Sequence, residues 1–334
     1  MRIAQIADLW HAATPKSVGG RGFITGSLTE EFVKRGHDVT LFATGDSTKS
    51  GKLISVAENA LKASNKELTE HNIKNAYDMF SEFDVIHNHV GHLALPYAEK
   101  SKTPTLTTLH YPSEDAREYL QKYRSASSFN SISMAMQKFY QEIDYIGNVY
   151  NGIYVKDYIY GEKAEDFFLF LGRISPDKGV AQAIEACNLI GANLVIAGMV
   201  PGPDQKYFEE KVKPFINGER IKYIGEVNYQ EKITLYPRAK ALLHPVDFFE
   251  PFGLTLVEAM ASGTPVIAFN KGSIPEIVSD KESGFVVDSV DGMAEKMKIV
   301  DNINRGNCRK RVEENFTVEK MADGYEKLFE EIIK

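Results

Sequence analysis

The sequence is poor in cysteine and has no long hydrophobic run. Its 334 residues include two cysteines, Cys187 and Cys308, and neither has the spacing of a metal-binding or disulfide motif. We therefore expect a reducing, cytoplasmic setting. No stretch reaches the ~18 consecutive apolar residues that a membrane-spanning helix needs, so we expect membrane contact to be peripheral at most, at the inner face. Residues 1–9 lack the apolar core and cleavage site of a signal peptide.

An excess of basic residues is absent as well. The chain has 39 lysines and arginines against 46 aspartates and glutamates, which gives a net charge of -7 at pH 7. Because a nucleic-acid-binding domain is expected to be basic, we expect no nucleic acid partner.

Short apolar segments alternate with amphipathic ones along the chain, which is typical of α/β proteins with parallel sheets. A domain usually takes about 100–200 residues, so the length predicts two domains. An Asn-Gly turn at Asn151 and Gly152 places their boundary near residue 150. The clearest predicted strands are 3–7, 38–43, 84–87, 105–109, 167–171, 194–197, 221–223, 241–244, 266–269 and 284–287. The clearest predicted helices are 25–34, 68–80, 93–100, 203–212, 229–238, 254–262, 291–299 and 318–333, with a further one ending at 190.

A long glycine-containing loop is predicted between the first strand and its helix, from Trp10 to Gly22. It contains Gly19 and Gly20, but Thr25 stands where a G-x-G-x-x-G fingerprint requires glycine. The fingerprint also needs a tight turn directly after the strand, and this loop is too long for one. The sequence therefore argues against a dehydrogenase of the same fold class.

Histidines follow two of the predicted strands. His87, His89 and His92 form an H-x-H-x-x-H pattern, which would suit a metal site because strand positions two apart face the same way. No cysteine or carboxylate follows at ligand spacing, which favours ordinary polar residues at a strand end. His110 ends an apolar strand, where a side chain faces the ligand crevice of a parallel sheet. It is a candidate site residue, with a structural histidine as the alternative.

Residues 244–277 are the most informative stretch, and they predict strand, loop, helix, strand and loop in turn. At the start of the helix, the free N–H groups of Leu254 and Thr255 and the positive end of the dipole form an anion site. Glu250 precedes that helix start, and Glu258 lies ~6 Å beyond it along the axis. Carboxylates repel phosphate and bind hydroxyls. The pattern therefore predicts a ligand with hydroxyls on both sides of an anion, as in a nucleotide sugar.

Glu250, Pro251, Phe252, Gly253 and Glu258 resemble the E-P-F-G…E signature of retaining nucleotide-sugar glycosyltransferases of the GT-B fold, family 4. In that family the first glutamate binds hydroxyls of the donor sugar and the second binds the ribose. The loop backbone between them, which here leads into the helix start, meets the sugar and the diphosphate.

The resemblance also implies a domain plan of two Rossmann-like domains that face each other across a cleft. An acceptor-side domain is expected at 1–150 and a nucleotide-sugar-binding domain at 151–316. A C-terminal helix at 317–334 is expected to cross back to the first domain.

Two cations, Arg173 and Lys178, lie in the sequence G-R-I-S-P-D-K-G after a buried strand. Its glycines and serine are misplaced for a Walker loop. The sequence resembles the diphosphate clamp of the family, in which the cations stabilise charge on the leaving group. The alternative is a solvated charged loop, which most charged loops are.

The resemblance also implies roles for four further residues. Gly19 and Gly20 match a glycine pair that faces the donor phosphates and the acceptor. His110 matches a histidine close to the donor sugar, and Val227 matches a turn against the nucleobase.

The implied activity is hexose transfer to a hydroxyl with retention of anomeric configuration. We expect no metal or other cofactor, because the chain lacks the Asp-x-Asp pair that holds a cation in transferases of the other common fold. The opening stretch resembles small family members that glucosylate compounds such as tetrahydrobiopterin. That favours UDP-glucose as donor, with GDP-mannose as the alternative. An inactive nucleotide-sugar-binding protein is the non-enzymatic alternative.

The acceptor is expected to be a small molecule, a glycan or a lipid. Trp10, Tyr111, Tyr119 and Tyr123 would suit an aromatic platform for a sugar or pterin ring, or would belong to the core.

Overall fold

The chain forms two compact units, each built on its own parallel sheet. The computed structural model describes residues 1–17, 19–61 and 64–334. The first unit comprises residues 1–152 and 318–334, and the second comprises residues 153–317. Within these described ranges no helix has the length and apolar character that crossing a bilayer requires.

The first unit holds a seven-stranded sheet and the second a six-stranded sheet. The strands are β1 Arg2–Ile6, β2 Asp38–Ala43, β3 Lys52–Ser55, β4 Val85–Asn88, β5 Thr105–Leu109, β6 Ser128–Ser131, β7 Tyr145–Asn148, β8 Phe168–Leu171, β9 Leu194–Ala197, β10 Ile221–Tyr223, β11 Leu242–His244, β12 Val266–Phe269 and β13 Gly284–Val287. The α/β fold class is confirmed.

Helices connect the strands and cover the faces of the sheets. They are α1 Gly20–Lys34, α2 Lys66–Asp78, α3 Leu95–Ala98, α4 Arg117–Lys122, α5 Met134–Phe139, α6 Val180–Ile190, α7 Gln205–Tyr207, α8 Tyr229–Leu235, α9 Leu254–Ala261, α10 Ile274–Ile277, α11 Val290–Met297, α12 Arg305–Asn315 and α13 Val318–Ile333. In place of the regular helix predicted at 203–212, α7 is followed by a single π-helical segment, Phe208–Val212.

The strand order locates the candidate site in each unit. The orders are β3-β2-β1-β4-β5-β6-β7 and β10-β9-β8-β11-β12-β13. The chain therefore reverses its direction of travel across the sheet between β1 and β4, and again between β8 and β11. In parallel α/β sheets, ligands bind outside the carboxyl ends of the strands at such a reversal. In the second unit, a ligand site is therefore expected at the loops after β8 and β11.

The start of α1 corrects one prediction. The helix begins at Gly20, so Gly20 and Gly22 lie in its first turn and not in the predicted loop. Glycine is required here for packing, because a Cβ on Gly22 would lie 2.6 Å from the carbonyl oxygen of Ala12, and one on Gly26 would lie 2.4 Å from the nitrogen of Thr14. Because glycine has a low helix propensity, the sequence predicted a later helix start, whereas close packing stabilises this first turn.

The last helix, α13, completes the core of the first unit. Its apolar face is buried, and Phe329 packs against Phe32 of α1 with ring centroids 5.6 Å apart. Arg35, just after α1, reaches carboxylate oxygens of Asp323 and Glu326, each at 2.7 Å. Residues distant in sequence thus form one hydrophobic layer with a charged rim.

Candidate active site

The reversal point of the second unit brings together Lys178, from the loop after β8, and Glu250, from the loop after β11. The two loops approach very closely. The N–H of Asp247 donates to the carbonyl of Asp177 at 2.8 Å, and a Cβ on Gly179 would lie 1.9 Å from the carbonyl oxygen of Pro245. Gly179 has φ of 77°, a conformation that favours glycine. This close packing fixes the position of the lysine next to the glutamate loop.

Lys178 is a half-buried cation whose ammonium packs against an aromatic ring. Its Nζ lies 4.2 Å from the ring centroid of Phe248, and it forms no ion pair within 4.0 Å among the residues described. Burial lowers the pKa of Lys178 more than the attraction of Glu250 raises it. The ammonium is therefore partly desolvated and has hydrogen-bond donors left for an anion.

Glu250 is 7% exposed and ionised. Its Oε2 lies 3.2 Å from Nε2 of His244, the last residue of β11. Burial favours the neutral acid, but the hydrogen bond with His244, the attraction of His244 and Lys178, and the N–H of Phe252 together lower the pKa of Glu250. A buried carboxylate held in this way is a strong acceptor for ligand hydroxyl groups.

The start of α9 follows Glu250 and has the expected form. Gly253 caps the helix with φ of 83°, offers no side chain to its N–H groups, and no acidic residue lies in the first turn. Leu254 and Thr255 begin the helix there. Phe252 is 2% exposed and its ring packs edge-on against Phe316, so its contribution to this surface is backbone only.

Glu258, on α9, lies in a separate cluster of donors. Tyr158 and Lys232 donate to Oε1 at 3.1 and 2.6 Å, and Tyr236 donates to Oε2 at 2.8 Å. Burial and the charge of Glu258 raise the pKa of both tyrosines well above the ordinary value, so they stay protonated and donate. A carboxylate has about four lone-pair sites, which leaves roughly one for a ligand, on Oε2.

Arg173 is more exposed than Lys178 and Glu250, and Val227 lies in a different loop. Arg173 has a side chain that is 55% exposed and an ion pair with Asp177 at 3.4 Å. Val227 is half-exposed in the turn after β10, the edge strand of the sheet. The structure thus gives Lys178 a more constrained environment than Arg173.

The first unit holds the remaining predicted residues. Gly19 caps α1, and a Cβ there would lie 2.3 Å from the ring of His11. Arg21, one residue after Gly20, pairs with Asp8 at 3.0 Å. The start of α1 is therefore glycine-lined, and its arginine is paired with a carboxylate.

His110 follows β5 and is hydrogen-bonded to His89, which follows β4. Nε2 of His110 and Nδ1 of His89 are 2.9 Å apart. The ring of His87 lies beside that of His89, with centroids 4.0 Å apart, but its Nε2 lies 2.8 Å from the hydroxyl of Thr108. Across the ranges described, no three His, Cys, Asp or Glu side chains cluster in a way that would hold a metal ion.

Two family models match the chain. "Glycosyltransferase Family 4" matches residues 18–151, and "Glycosyl transferases group 1" matches residues 159–317. An uncharacterized glycosyltransferase of Methanocaldococcus jannaschii is 30% identical over 275 residues, which cover 75% of this chain and 76% of the relative. The chain belongs to the glycosyl transferases group 1 family.

Solved structures share the fold of this glycosyltransferase. Sucrose-phosphate synthase from Thermosynechococcus elongatus has a TM-score of 0.82 at 19% identity, covering 99% of this chain and 98% of that one. Anabaena HepE in complex with UDP and glucose has a TM-score of 0.76 at 18% identity, covering 98% of this chain and 99% of that one. These similarities confirm the GT-B fold.

The structure of this group 1 glycosyltransferase adds partners that the sequence analysis missed. His244 ends a buried strand, the kind of position that marked His110 as a candidate, so it could have been recognised in the same way. Tyr158, Lys232 and Tyr236 reach Glu258 from separate segments, and no short sequence pattern connects them.

Proposed function

We propose that this glycosyltransferase moves a hexose from a nucleotide sugar to a hydroxyl acceptor with retention and without a metal, and that the donor is UDP-glucose. The observation that carries the proposal is the half-buried Lys178 ammonium, which feels the charge of Glu250 but forms no ion pair within 4.0 Å with any residue the structure describes. Desolvating a charge is costly, and an anionic ligand would offset that cost.

A diphosphate suits this anion position. Lys178 would contact its oxygens as a point charge, and the uncapped N–H groups at the start of α9 would face it from the other loop. Arg173, exposed and paired with Asp177, is free to turn toward a bound phosphate. These groups would stabilise the negative charge that grows on the leaving diphosphate.

Hydroxyl groups on the two sides of the diphosphate would meet the two glutamates. Glu250 would accept from the donor sugar. Glu258 would accept from the ribose through its open site on Oε2, so it would bind one ribose hydroxyl unless Lys232 moves away. Val227 would lie against the base, while Gly19, Gly20 and His110 of the first unit would serve the phosphates, the sugar and the acceptor.

Retention requires the acceptor oxygen to attack on the face that the leaving group departs from. The bond between the anomeric carbon and the phosphate oxygen breaks with its electron pair going to the diphosphate. The acceptor oxygen bonds to the anomeric carbon, and its proton passes to the departing phosphate oxygen. This path uses the cations named above and no metal ion.

The acceptor side of the proposal rests on exposed aromatic residues of the first unit. Trp10, Tyr111 and Tyr119 are 45%, 58% and 43% exposed; Trp10 and Tyr111 follow the carboxyl ends of β1 and β5, and Tyr119 lies on α4. Tyr123 lies near Tyr119, with ring centroids 6.2 Å apart. Exposed rings at a ligand edge suit an acceptor with a sugar or other flat ring.

The test is slow hydrolysis of nucleotide sugars, which needs no knowledge of the acceptor. The panel contains UDP-glucose, UDP-galactose, GDP-mannose and ADP-glucose. We expect UDP release from UDP-glucose and loss of that release in Lys178→Met. Preference for GDP-mannose would replace the donor assignment. Nucleotide binding without release from any donor would favour the inactive binding protein.

A further inference from the structure

Gln5, His89 and His110 form a buried row of hydrogen-bonded side chains in the first unit. Gln5 of β1 and His89 are almost completely buried, and His110 retains 7% exposure. Oε1 of Gln5 lies 2.7 Å from Nε2 of His89, and Nδ1 of His89 lies 2.9 Å from Nε2 of His110. The other ring nitrogen of His110, Nδ1, has no hydrogen-bond partner in the described parts of the chain.

Both imidazoles in this row are neutral. Burial lowers the pKa of His89 to about 3, with the charge of Arg21 adding to the effect. Burial, His89 and Arg21 lower the pKa of His110 in the same direction. Arg21 is held nearby by Asp8 and lies 5.3 Å from the ring centroid of Tyr111. Each ring therefore carries one N–H, and each contact needs one donor and one acceptor.

The positions of the two protons are then linked. Because Oε1 of Gln5 accepts from Nε2 of His89, Nδ1 of His89 is left as an acceptor. That atom accepts from Nε2–H of His110, so Nδ1 of His110 keeps a free lone pair. A turned Gln5 amide would reverse every bond and make Nδ1 of His110 a donor.

We propose that Gln5 and His89 are positioning residues, which hold His110 in the tautomer whose Nδ1 faces the substrate as a hydrogen-bond acceptor. The substrate group is a hydroxyl of the donor sugar or of the acceptor. This step rests on the proposed transfer function, whereas the proton positions themselves do not. The hydrogen bonds from Gln5 through His89 fix the tautomer and the ring plane of His110. Hydrogen-bond partners do the same for metal-bound and catalytic histidines.

The direct test is ¹⁵N NMR of the histidine rings in the wild-type protein. We expect protonated Nε2 and bare Nδ1 for His110, and protonated Nε2 for His89. A His110 ring with its proton on Nδ1 would overturn the proposal. This measurement decides the proton positions even if no nucleotide sugar is hydrolysed, in which case the proposed function fails separately.

Kinetics on three variants test the positioning role. His89→Phe should lower kcat for donor hydrolysis by up to about 100-fold with little change in KM, because the reacting geometry is disturbed and donor affinity is not. His89→Asn retains an acceptor at the Nδ1 position and should recover part of the rate. His87→Phe is the matched control, since His87 is equally buried, with its ring centroid 4.0 Å from that of His89, but bonds to Thr108. Equal losses in His87→Phe and His89→Phe would show a structural effect only.

Discussion

Replacing Lys178 by methionine should make the free protein more stable and its binding of nucleoside diphosphates weaker. Methionine keeps most of the aliphatic stem against Phe248 and removes the desolvated charge. The matched control is Lys222→Met, which removes an exposed lysine from β10 of the same unit.

The stability effect has a definite pH dependence. The pKa of Lys178 is lowered from its ordinary value of 10.5, so the folded state binds this proton more weakly than the unfolded state does. Below the lowered pKa the wild type carries the full cost of the buried charge. As pH rises through that pKa the folded protein loses the proton first, and the difference from Lys178→Met shrinks until it vanishes above 10.5. Thermal unfolding of the wild type and Lys178→Met from pH 7 to 10.5 measures this convergence.

The binding effect follows from the contact that is lost. A hydrogen bond to a charged group contributes about 1.5–3 kcal/mol, which corresponds to about 10- to 150-fold in Kd. Calorimetry with uridine, UMP and UDP separates the contributions of base and phosphate. We expect the loss for UDP and none for uridine. Equal weakening of uridine and UDP, or unchanged UDP binding with no gain in stability, would refute the assignment of a diphosphate to Lys178.

Other changes test the rest of the site. Glu250→Gln should mainly lower kcat, because the sugar develops positive charge in the transition state. Glu258→Gln should instead weaken the binding of free UDP, since the ribose contact acts in the ground state too. If calorimetry and steady-state kinetics show the reverse pattern, the two roles are exchanged. Gly179→Ala should lower the free energy of unfolding by more than about 2 kcal/mol, through backbone strain and overlap with the Pro245 carbonyl. Gly218→Ala is the control, since Gly218 also has positive φ but lies in open space, and it should cost about 1–2 kcal/mol. Chemical denaturation measures both, and equal costs would contradict the close loop contact. Donor hydrolysis should persist in excess EDTA, and activity that is lost and then restored by manganese would refute the metal-free path.

Most strands could be predicted from sequence because each is a short apolar run between turn signals, but β3, with its exposed polar ends, was not predicted. The bounds of β2, β5, β9, β10, β12 and β13 agree with the expected ranges. Helix α12 could not be predicted, since only Cys308 and Val312 are buried along it and no apolar stripe exists. Its arginines hold it in place. Arg305 and Arg309 donate to backbone carbonyls of distant segments, which is a tertiary interaction without a local pattern.

In the candidate site, too, residues within a local sequence pattern could be predicted, whereas tertiary contacts could not. Lys178 and Glu250 could be chosen as candidates from sequence because each lies within a short motif after a buried strand. The buried partners of His110 could not, because Gln5 and His89 meet it only once β1, β4 and β5 lie side by side in the sheet.

The position of α13 gives the chain a dependence on complete synthesis. Residues 1–152 leave the ribosome first, yet the layer that covers Phe32 and His87 is supplied by Tyr325 and Phe329, after the whole second unit has been translated. Any product that stops before residue 318 therefore displays an uncovered apolar face, the kind of surface that chaperones and proteases act on. We therefore expect quality control to remove prematurely terminated chains, even those whose second unit is already folded.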